Sequence, residues 1–86
     1  MYSVALTRKA RRFFEKADAD LQRRLDDCFE KLGEEPVRRA NVKSLRGEFA
    51  GCYRMRVGTH RIVYRVDHEG KVVIVIIIAH RRDVYR

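Results

Sequence analysis

Four arginines in the second half of the chain are spaced so that a β-hairpin would place them on one face. Two strand-like segments carry them, and the dipeptide Gly58-Thr59 separates the segments. If this dipeptide forms a type II′ turn, with the glycine supplying a positive φ, Arg56 lies opposite Arg61. Because side chains alternate along a strand, Arg54 and Arg65 then lie on the same face of the hairpin as this pair.

Three of these side chains, Arg54, Arg56 and Arg61, have the chemistry of a phosphate-binding site. Like charges directly opposite on a sheet cost a few tenths to about 1 kcal/mol, and an anion between them would reverse the sign. Guanidinium groups bind phosphate bidentately and stay protonated, which suits them to the negative charge that develops during attack on phosphorus. A solvated strand face with long charged side chains explains the spacing equally well.

The C-terminal segment after the most apolar run adds Arg81, Arg82 and a phenol, Tyr85. An aromatic ring among arginines can stack on an unpaired base while the cations hold the backbone of single-stranded RNA. A frayed terminal aromatic is an equally good interpretation of Tyr85. His80 is a further candidate acid or base, because imidazole titrates near neutral pH.

The distribution of charge favours a polyanionic partner. Of the net charge of +8, residues 1–36 contribute nothing, since they hold eight Lys or Arg and eight Asp or Glu, whereas residues 37–86 hold twelve and four. A localised basic field attracts nucleic acid, and counterion release from phosphates gives affinity that does not depend on sequence. An acidic protein would fit as well, and a basic surface that only maintains solubility is the plain alternative.

Secretion, membrane insertion and metal binding are not indicated by the sequence. The chain shows no apolar leader, and Cys28 and Cys52 are expected to be reduced thiols of a cytoplasmic protein. The apolar run Val72–Ala79 has eight residues, whereas a helix needs about 20 to cross a bilayer. The histidines and cysteines lack metal-ligand spacing, so we expect no metal and no other cofactor.

Apolar residues at helical spacing predict a helical hairpin in the first half of the chain. Thr7 can cap the first helix, and either Asp18 or Asp20 can cap the second, which Gly33 and Pro36 are expected to end. The apolar stripes are Ala10, Phe13, Phe14 and Ala17 in the first helix, and Leu21, Leu25, Cys28, Phe29 and Leu32 in the second.

Alternating patterns and turn residues predict four strands around this hairpin. Residues 37–50 show no sustained period and are interpreted as a basic connecting loop. The order β-α-α-β-β-β predicts a single α+β domain over residues 1–86, with the helical hairpin packed on one face of an antiparallel-rich sheet. The predicted strands are Tyr2–Leu6, Cys52–Val57, Arg61–Val66 and Lys71–Ala79.

Several short segments follow one another in a characteristic order. They are Tyr2-Ser3-Val4, Leu45-Arg46-Gly47, residues 51–58, residues 60–64 and residues 80–85. Their order and spacing resemble the RelE/ParE toxin superfamily of toxin–antitoxin systems, and the resemblance covers nearly the whole chain. It implies a RelE-like fold.

The resemblance to the RelE branch implies a ribosome-dependent endoribonuclease, an mRNA interferase that needs no metal and inhibits translation. In this reaction the 2′-hydroxyl attacks the adjacent phosphate of an A-site codon and leaves a 2′,3′-cyclic phosphate and a 5′-hydroxyl. Arg81 would stabilise charge or protonate the leaving group, and Tyr85 would stack on the base or accept the 2′-hydroxyl proton. The implied catalytic residues are Arg54, Arg56, Arg61, Arg81 and Tyr85, and the expected RNA-binding residues are Lys43, Arg46, Arg65 and Arg82.

The same resemblance implies a cognate RelB-like antitoxin as the protein partner, with the ribosome and mRNA as the targets. It also leaves a second function open, because ParE-like toxins share the fold and inhibit a DNA topoisomerase such as gyrase without cutting RNA. ParE-like chains generally lack this arginine set and the terminal tyrosine, which favours the RNase. A non-enzymatic nucleic-acid-binding module is a third possibility.

Overall fold

The computed structural model describes residues 1–39 and 41–83 as two helices on one face of a five-stranded sheet. The elements are β1 (Ser3–Leu6), α1 (Arg8–Lys16), α2 (Ala19–Glu34), β2 (Val42–Ser44), a short 3₁₀ turn (Gly47–Phe49), β3 (Cys52–Val57), β4 (His60–Asp67) and β5 (Val72–His80). The strand order is β1-β5-β4-β3-β2, in which β1 runs parallel to β5 and the other neighbours are antiparallel. The α+β class and the helical hairpin are confirmed.

Side-chain caps fix where the two helices begin. Ala10 N donates to Thr7 Oγ1 at 3.2 Å, and the same hydroxyl donates to the carbonyl of Ile76 at 2.9 Å, which ties the start of α1 to β5. Leu21 N donates to Asp18 Oδ1 at 2.8 Å. Of the two candidate caps of α2, Asp18 is therefore the one used. In the part of the chain that the structure describes, no helix is long and apolar enough to cross a bilayer.

Helix α2 continues one residue beyond Gly33, so this glycine lies inside the last turn. Its role is close packing, because a Cβ at this position would lie 3.0 Å from the carbonyl oxygen of Tyr2. Tyr2 N donates to the carbonyl of Gly33 at 2.8 Å. The glycine therefore lets the end of α2 contact the residue just before β1, and the helix ends at Glu34.

The core lies between the helical hairpin and one face of the sheet. At its centre Tyr64 is fully buried, and its hydroxyl donates to the carbonyl of Pro36 at 2.5 Å. Burial raises the pKa of Tyr64, and the neighbouring Tyr53 raises it further. The buried core residues are Ala10, Leu25, Leu32, Met55, Val57, Ile62, Tyr64, Val73, Val75 and Ile78.

The prediction that residues 37–50 form a loop is wrong for the segment Val42–Ser44, which is strand β2. Sequence periodicity missed it because three residues are too few to show alternation. Non-local bonds to β3 define the strand instead. Arg56 N donates to the carbonyl of Asn41 at 3.1 Å, and Leu45 N donates to the carbonyl of Cys52 at 3.0 Å. The sheet consequently has five strands rather than the four predicted.

A β-bulge in β5 changes which of its side chains face the helices. The register shifts between Val63, which pairs with Ile77, and Tyr64, which pairs with Val75. The extra residue, Ile76, interrupts the alternation of side chains along β5. As a result Val73 and Val75 before the bulge and Ile78 after it all join the core.

Candidate functional site

The face of the sheet opposite the helices, here called the open face, is cationic on one half and aliphatic on the other. Strand register and alternation define its residues. Three rows cross it from β2 toward β1: Asn41, Arg56, Arg61 and Ala79; then Lys43, Arg54, Val63 and Ile77; then Cys52, Arg65, Ile74 and Ala5.

The predicted hairpin register is confirmed. Arg56 pairs with Arg61, and Arg54 pairs with Val63. Gly58 has a φ of +59°, as the first central residue of a type II′ turn requires. Among the described non-glycine residues only Lys71 has a positive φ, so the φ of Thr59 is negative, which fits the second central residue of this turn.

Arg56 and Arg61 differ in their surroundings although they face each other. The Arg56 side chain is exposed, whereas Arg61 is half-buried and its guanidinium donates to the carbonyl of His60 at 3.2 Å. Two guanidinium groups opposed on adjacent strands repel each other. A phosphate bridging them would be stabilised by both.

Strand β2 adds one further cation to this region. Lys43 pairs directly with Arg54, and a cleft of about 190 Å³ is lined by Asn41, Lys43, Arg54 and Arg56. Lys43, expected only as an RNA contact, thus shares the cleft with two of the predicted catalytic residues. Among the described residues, neither Lys43 nor Arg56 forms a salt bridge with a carboxylate. The cleft therefore concentrates positive charge and suits an anion.

The apolar half of the open face begins directly beside the arginines. Val63 is fully buried although it faces away from α1 and α2, and its cross-strand neighbours are Arg54 and Ile77. Arginine stems can lie along apolar surface while their charged ends stay in solvent. The arrangement places the arginines next to an aliphatic patch on the same face.

The turn after β5 brings Arg81 to the same end of the sheet as the Arg56–Arg61 pair. Arg81 N donates to the carbonyl of Thr59, in the β3–β4 turn, at 2.8 Å. The next residue, Arg82, donates through its backbone N–H to Nδ1 of His80 at 3.3 Å. Both arginine side chains are exposed. Tyr85, the fifth predicted catalytic residue, lies outside the described residues.

His80 lies on the other side of the sheet from the arginines. It pairs with His60, and the two ring centroids are 5.6 Å apart. His60 in turn contacts Phe13 of α1, with ring centroids 5.8 Å apart. Burial lowers the pKa of His60, and His80 and Arg24 lower it further. The structure therefore does not bring His80 together with Arg61, which faces away from the helices.

Arg46 and Arg65 lie at the far end of the open face. Arg65 pairs with Cys52, four residues along β3 from Arg56, which corresponds to about 14 Å at the rise of a strand. Arg46 is exposed and precedes the 3₁₀ turn just beyond β2. These two residues can contact a polyanion that extends along the sheet, but they are not part of the cleft.

Asn41 is a cleft residue that the sequence did not suggest. Its side-chain Nδ2 donates to the carbonyl of Arg56 at 3.0 Å. No local signal marks it, because its position depends on the pairing of β2 with β3.

The chain has relatives of known family. The model of the ParE toxin of the type II toxin–antitoxin system parDE matches residues 4–85. Toxin RelG of Mycobacterium tuberculosis is 38% identical over 86 residues, which cover 99% of this chain and 97% of RelG.

Solved structures of toxin–antitoxin complexes show the same fold. The RelBE2 complex from Mycobacterium tuberculosis matches with a TM-score of 0.82 and 34% identity, covering 93% of this chain and 98% of the matched chain. The archaeal RelE–RelB complex from Pyrococcus horikoshii matches with a TM-score of 0.81 and 26% identity, covering 96% of this chain and 98% of the matched chain. The chain belongs to the RelE/ParE superfamily and is a toxin of the type II toxin–antitoxin class, similar to RelG.

Proposed function

We propose that this toxin is a ribosome-dependent endoribonuclease that cleaves mRNA in the A site and thereby inhibits translation in the cytoplasm. The observation that supports the proposal is the opposition of Arg56 and Arg61 beside a cleft that also contains Lys43 and Arg54. Packing does not require four cations on one sheet face, and like charges directly opposite, as at Arg56 and Arg61, oppose folding. A bound phosphate lowers that repulsion, as expected for a site that binds nucleic acid.

The proposed reaction is an internal transesterification. The 2′-oxygen attacks the adjacent phosphorus, the bond from phosphorus to the 5′-oxygen breaks, and the products carry a 2′,3′-cyclic phosphate and a 5′-hydroxyl. One proton leaves the 2′-hydroxyl and one is delivered to the 5′-oxygen. Arg56 and Arg61 hold the non-bridging oxygens and stabilise the charge that grows on them in the transition state.

Two further residues complete the proposed site. Arg81, whose backbone is bonded at the Arg61 end of the sheet, neutralises charge at the leaving oxygen. Tyr85 stacks on the base or accepts the 2′-hydroxyl proton, a role that comes from the family resemblance. Arg46, Arg65 and Arg82 contact the flanking backbone. The ribosome supplies the orientation of the codon that so small a site lacks.

The partner that we propose is a RelB-like antitoxin. The two matched structures described above are complexes with an antitoxin. On this chain a groove of about 530 Å³ lies between α1, α2 and β5, and it has an apolar floor with a basic rim. Such a groove suits a helix that is apolar on one side and acidic at its flanks. The floor includes Phe13, Leu21 and Ile78, and the rim includes Lys9, Arg12 and Lys16.

A ParE-like toxin that inhibits a DNA topoisomerase without cutting RNA is the second candidate. The observation in its favour is that the matching family model is that of the ParE toxin. The arginine cleft favours the RNase, because topoisomerase inhibition does not require a phosphate site of this composition. Supercoiling by purified gyrase in the presence of the toxin tests this alternative directly.

The test of the proposal compares one mRNA in two states, free and bound to ribosomes with a defined codon in the A site. We expect cleavage on the ribosome with a 2′,3′-cyclic phosphate at the new 3′ end, and little cleavage of free mRNA. An mRNA with one 2′-deoxynucleotide at the cleavage position is the control, because it lacks the nucleophile. Equal cleavage of free and bound mRNA would contradict ribosome dependence, and cleavage of the deoxy control would contradict the mechanism.

A further inference from the structure

Asn41 is fixed in the arginine-lined cleft by two hydrogen bonds to one residue. Its backbone carbonyl accepts from Arg56 N at 3.1 Å, and its side-chain Nδ2 donates to the carbonyl of Arg56 at 3.0 Å. A carbonyl oxygen can only accept, so the second bond fixes which end of the amide is the NH₂ group. The Asn41 side chain is therefore oriented before any ligand binds.

This orientation places a hydrogen-bond acceptor in a cleft whose other described side chains are all donors. Lys43, Arg54 and Arg56 carry no side-chain acceptor. The Oδ1 atom of Asn41 accepts no hydrogen bond from any residue in 1–39 or 41–83. Asn41 is exposed, so solvent can hydrate Oδ1 in the free protein, and a ligand that displaces this solvent must bring a donor in its place.

The chemistry of the cleft specifies more than a phosphate. A phosphodiester has acceptors alone, which match the three cations but not Oδ1. In RNA a hydroxyl is attached at C2′, next to the carbon that carries the 3′-phosphate, and this hydroxyl can donate. Deoxyribose has no donor there. The 2′-hydroxyl is the group by which a protein distinguishes RNA from DNA.

We propose that Asn41 is a specificity-determining residue whose Oδ1 accepts a hydrogen bond from the 2′-hydroxyl of a nucleotide held by Lys43, Arg54 and Arg56. The inference deepens the proposed function, since it takes RNA as the ligand. The volume of about 190 Å³ is several times the roughly 30 Å³ that one water occupies in the liquid. The cleft therefore has room for a phosphate together with part of its ribose.

Binding of the purified toxin to short single-stranded oligonucleotides at low salt tests this inference without ribosomes or cleavage. Three probes share one sequence and carry ribose, 2′-fluororibose or deoxyribose, and fluorescence anisotropy gives each Kd. The fluorine keeps the sugar pucker of RNA but removes the donor. We expect the wild type to bind RNA about fivefold more tightly than the 2′-fluoro probe, the effect of one hydrogen bond.

The variants Asn41→Ala and Lys43→Ala separate recognition from charge. Asn41→Ala should lose the preference for RNA and keep its affinity for the 2′-fluoro probe within about twofold. Lys43→Ala should weaken all three probes and keep the preference. The inference is wrong if the wild type shows no preference, if Asn41→Ala retains it, or if Asn41→Ala weakens all probes alike, because the asparagine would then only hold β2 in place.

The binding measurements test the role of Asn41 separately from the proposed cleavage of mRNA on the ribosome. A toxin that cuts ribosome-bound mRNA but shows no preference for RNA over the 2′-fluoro probe retains the function and loses the inference. A toxin that prefers RNA through Asn41 but cuts nothing on the ribosome retains the inference and loses the proposed function.

Discussion

Arg56 and Arg61 lie directly opposite each other on adjacent antiparallel strands, on the face of the sheet opposite α1 and α2. Two like charges in this position destabilise the free protein by a few tenths to about 1 kcal/mol. Stability and activity are therefore expected to respond in opposite directions when one of the two charges is removed.

Arg56→Ala should leave the melting temperature equal or slightly higher while cleavage falls by roughly 10²-fold or more, because the variant loses both the repulsion and a contact to the phosphate. Thermal unfolding and single-turnover cleavage on programmed ribosomes measure the two effects.

Arg12→Ala is the matched control, since Arg12 is exposed on α1, on the side of the sheet that carries the helices. It removes one positive charge and should change cleavage only modestly, by an amount that shrinks as salt rises. Wild-type cleavage by Arg56→Ala would make the topoisomerase hypothesis the better one.

Arg81→Ala should lose cleavage without unfolding. The Arg81 side chain is exposed, and the bond that holds this turn to Thr59 comes from the backbone N–H, which the substitution keeps. The same cleavage assay, together with far-UV circular dichroism, checks this expectation. Loss of activity that accompanies loss of folded signal would argue against a role in the reaction.

Tyr64→Phe should lower the free energy of unfolding by about 1–2 kcal/mol, because it leaves the buried carbonyl of Pro36 without its donor. Tyr53→Phe is the control on the neighbouring, stacked ring. Its hydroxyl makes no hydrogen bond with the described part of the chain, so we expect a change within about 0.5 kcal/mol. Urea denaturation of both variants measures the difference. Equal effects would show that the Pro36 bond contributes nothing specific.

Stability should fall at mildly acidic pH in part through His60. Its pKa is lowered in the folded protein by burial, by His80 and by Arg24, so the folded state binds fewer protons there than the unfolded chain. The stability that neutral His60 contributes is complete above the pKa of about 6.5 in the unfolded chain and is lost as pH falls below that value. Free energies of unfolding of the wild type and His60→Gln, measured between pH 7.5 and 5.5, should differ in slope, with the variant flatter. An unchanged slope would contradict the assignment.

Association with the antitoxin should slow as salt is raised, because the rim of the groove between the helices is basic and the expected partner is acidic. Stopped-flow rates with the toxin's genomic partner measure this dependence. Lys16→Glu should lower the association rate further than Lys71→Glu, a substitution of an exposed lysine outside the groove. Rates that do not vary with salt would refute the charge part of the proposal.

The sequence determined those features that depend on neighbouring residues. The Gly58-Thr59 turn fixed the β3–β4 register, and alternation then placed Arg54, Arg56 and Arg61 on one face. The two helices followed from apolar stripes and from side-chain caps at Thr7 and Asp18. All of these signals act over a few residues, so they can be recognised in the sequence without knowledge of the rest of the fold.

Only the tertiary structure decided the features that depend on distant pairing. Strand β2 exists because β3 offers an edge to it, and this pairing brings Lys43 and Asn41 to Arg54 and Arg56. The face of the sheet on which His80 lies could not be predicted either, because the bulge in β5 interrupts the regular alternation of side chains. A three-residue strand and a one-residue bulge carry almost no local signal, because the hydrogen bonds that stabilise them come from residues far along the chain.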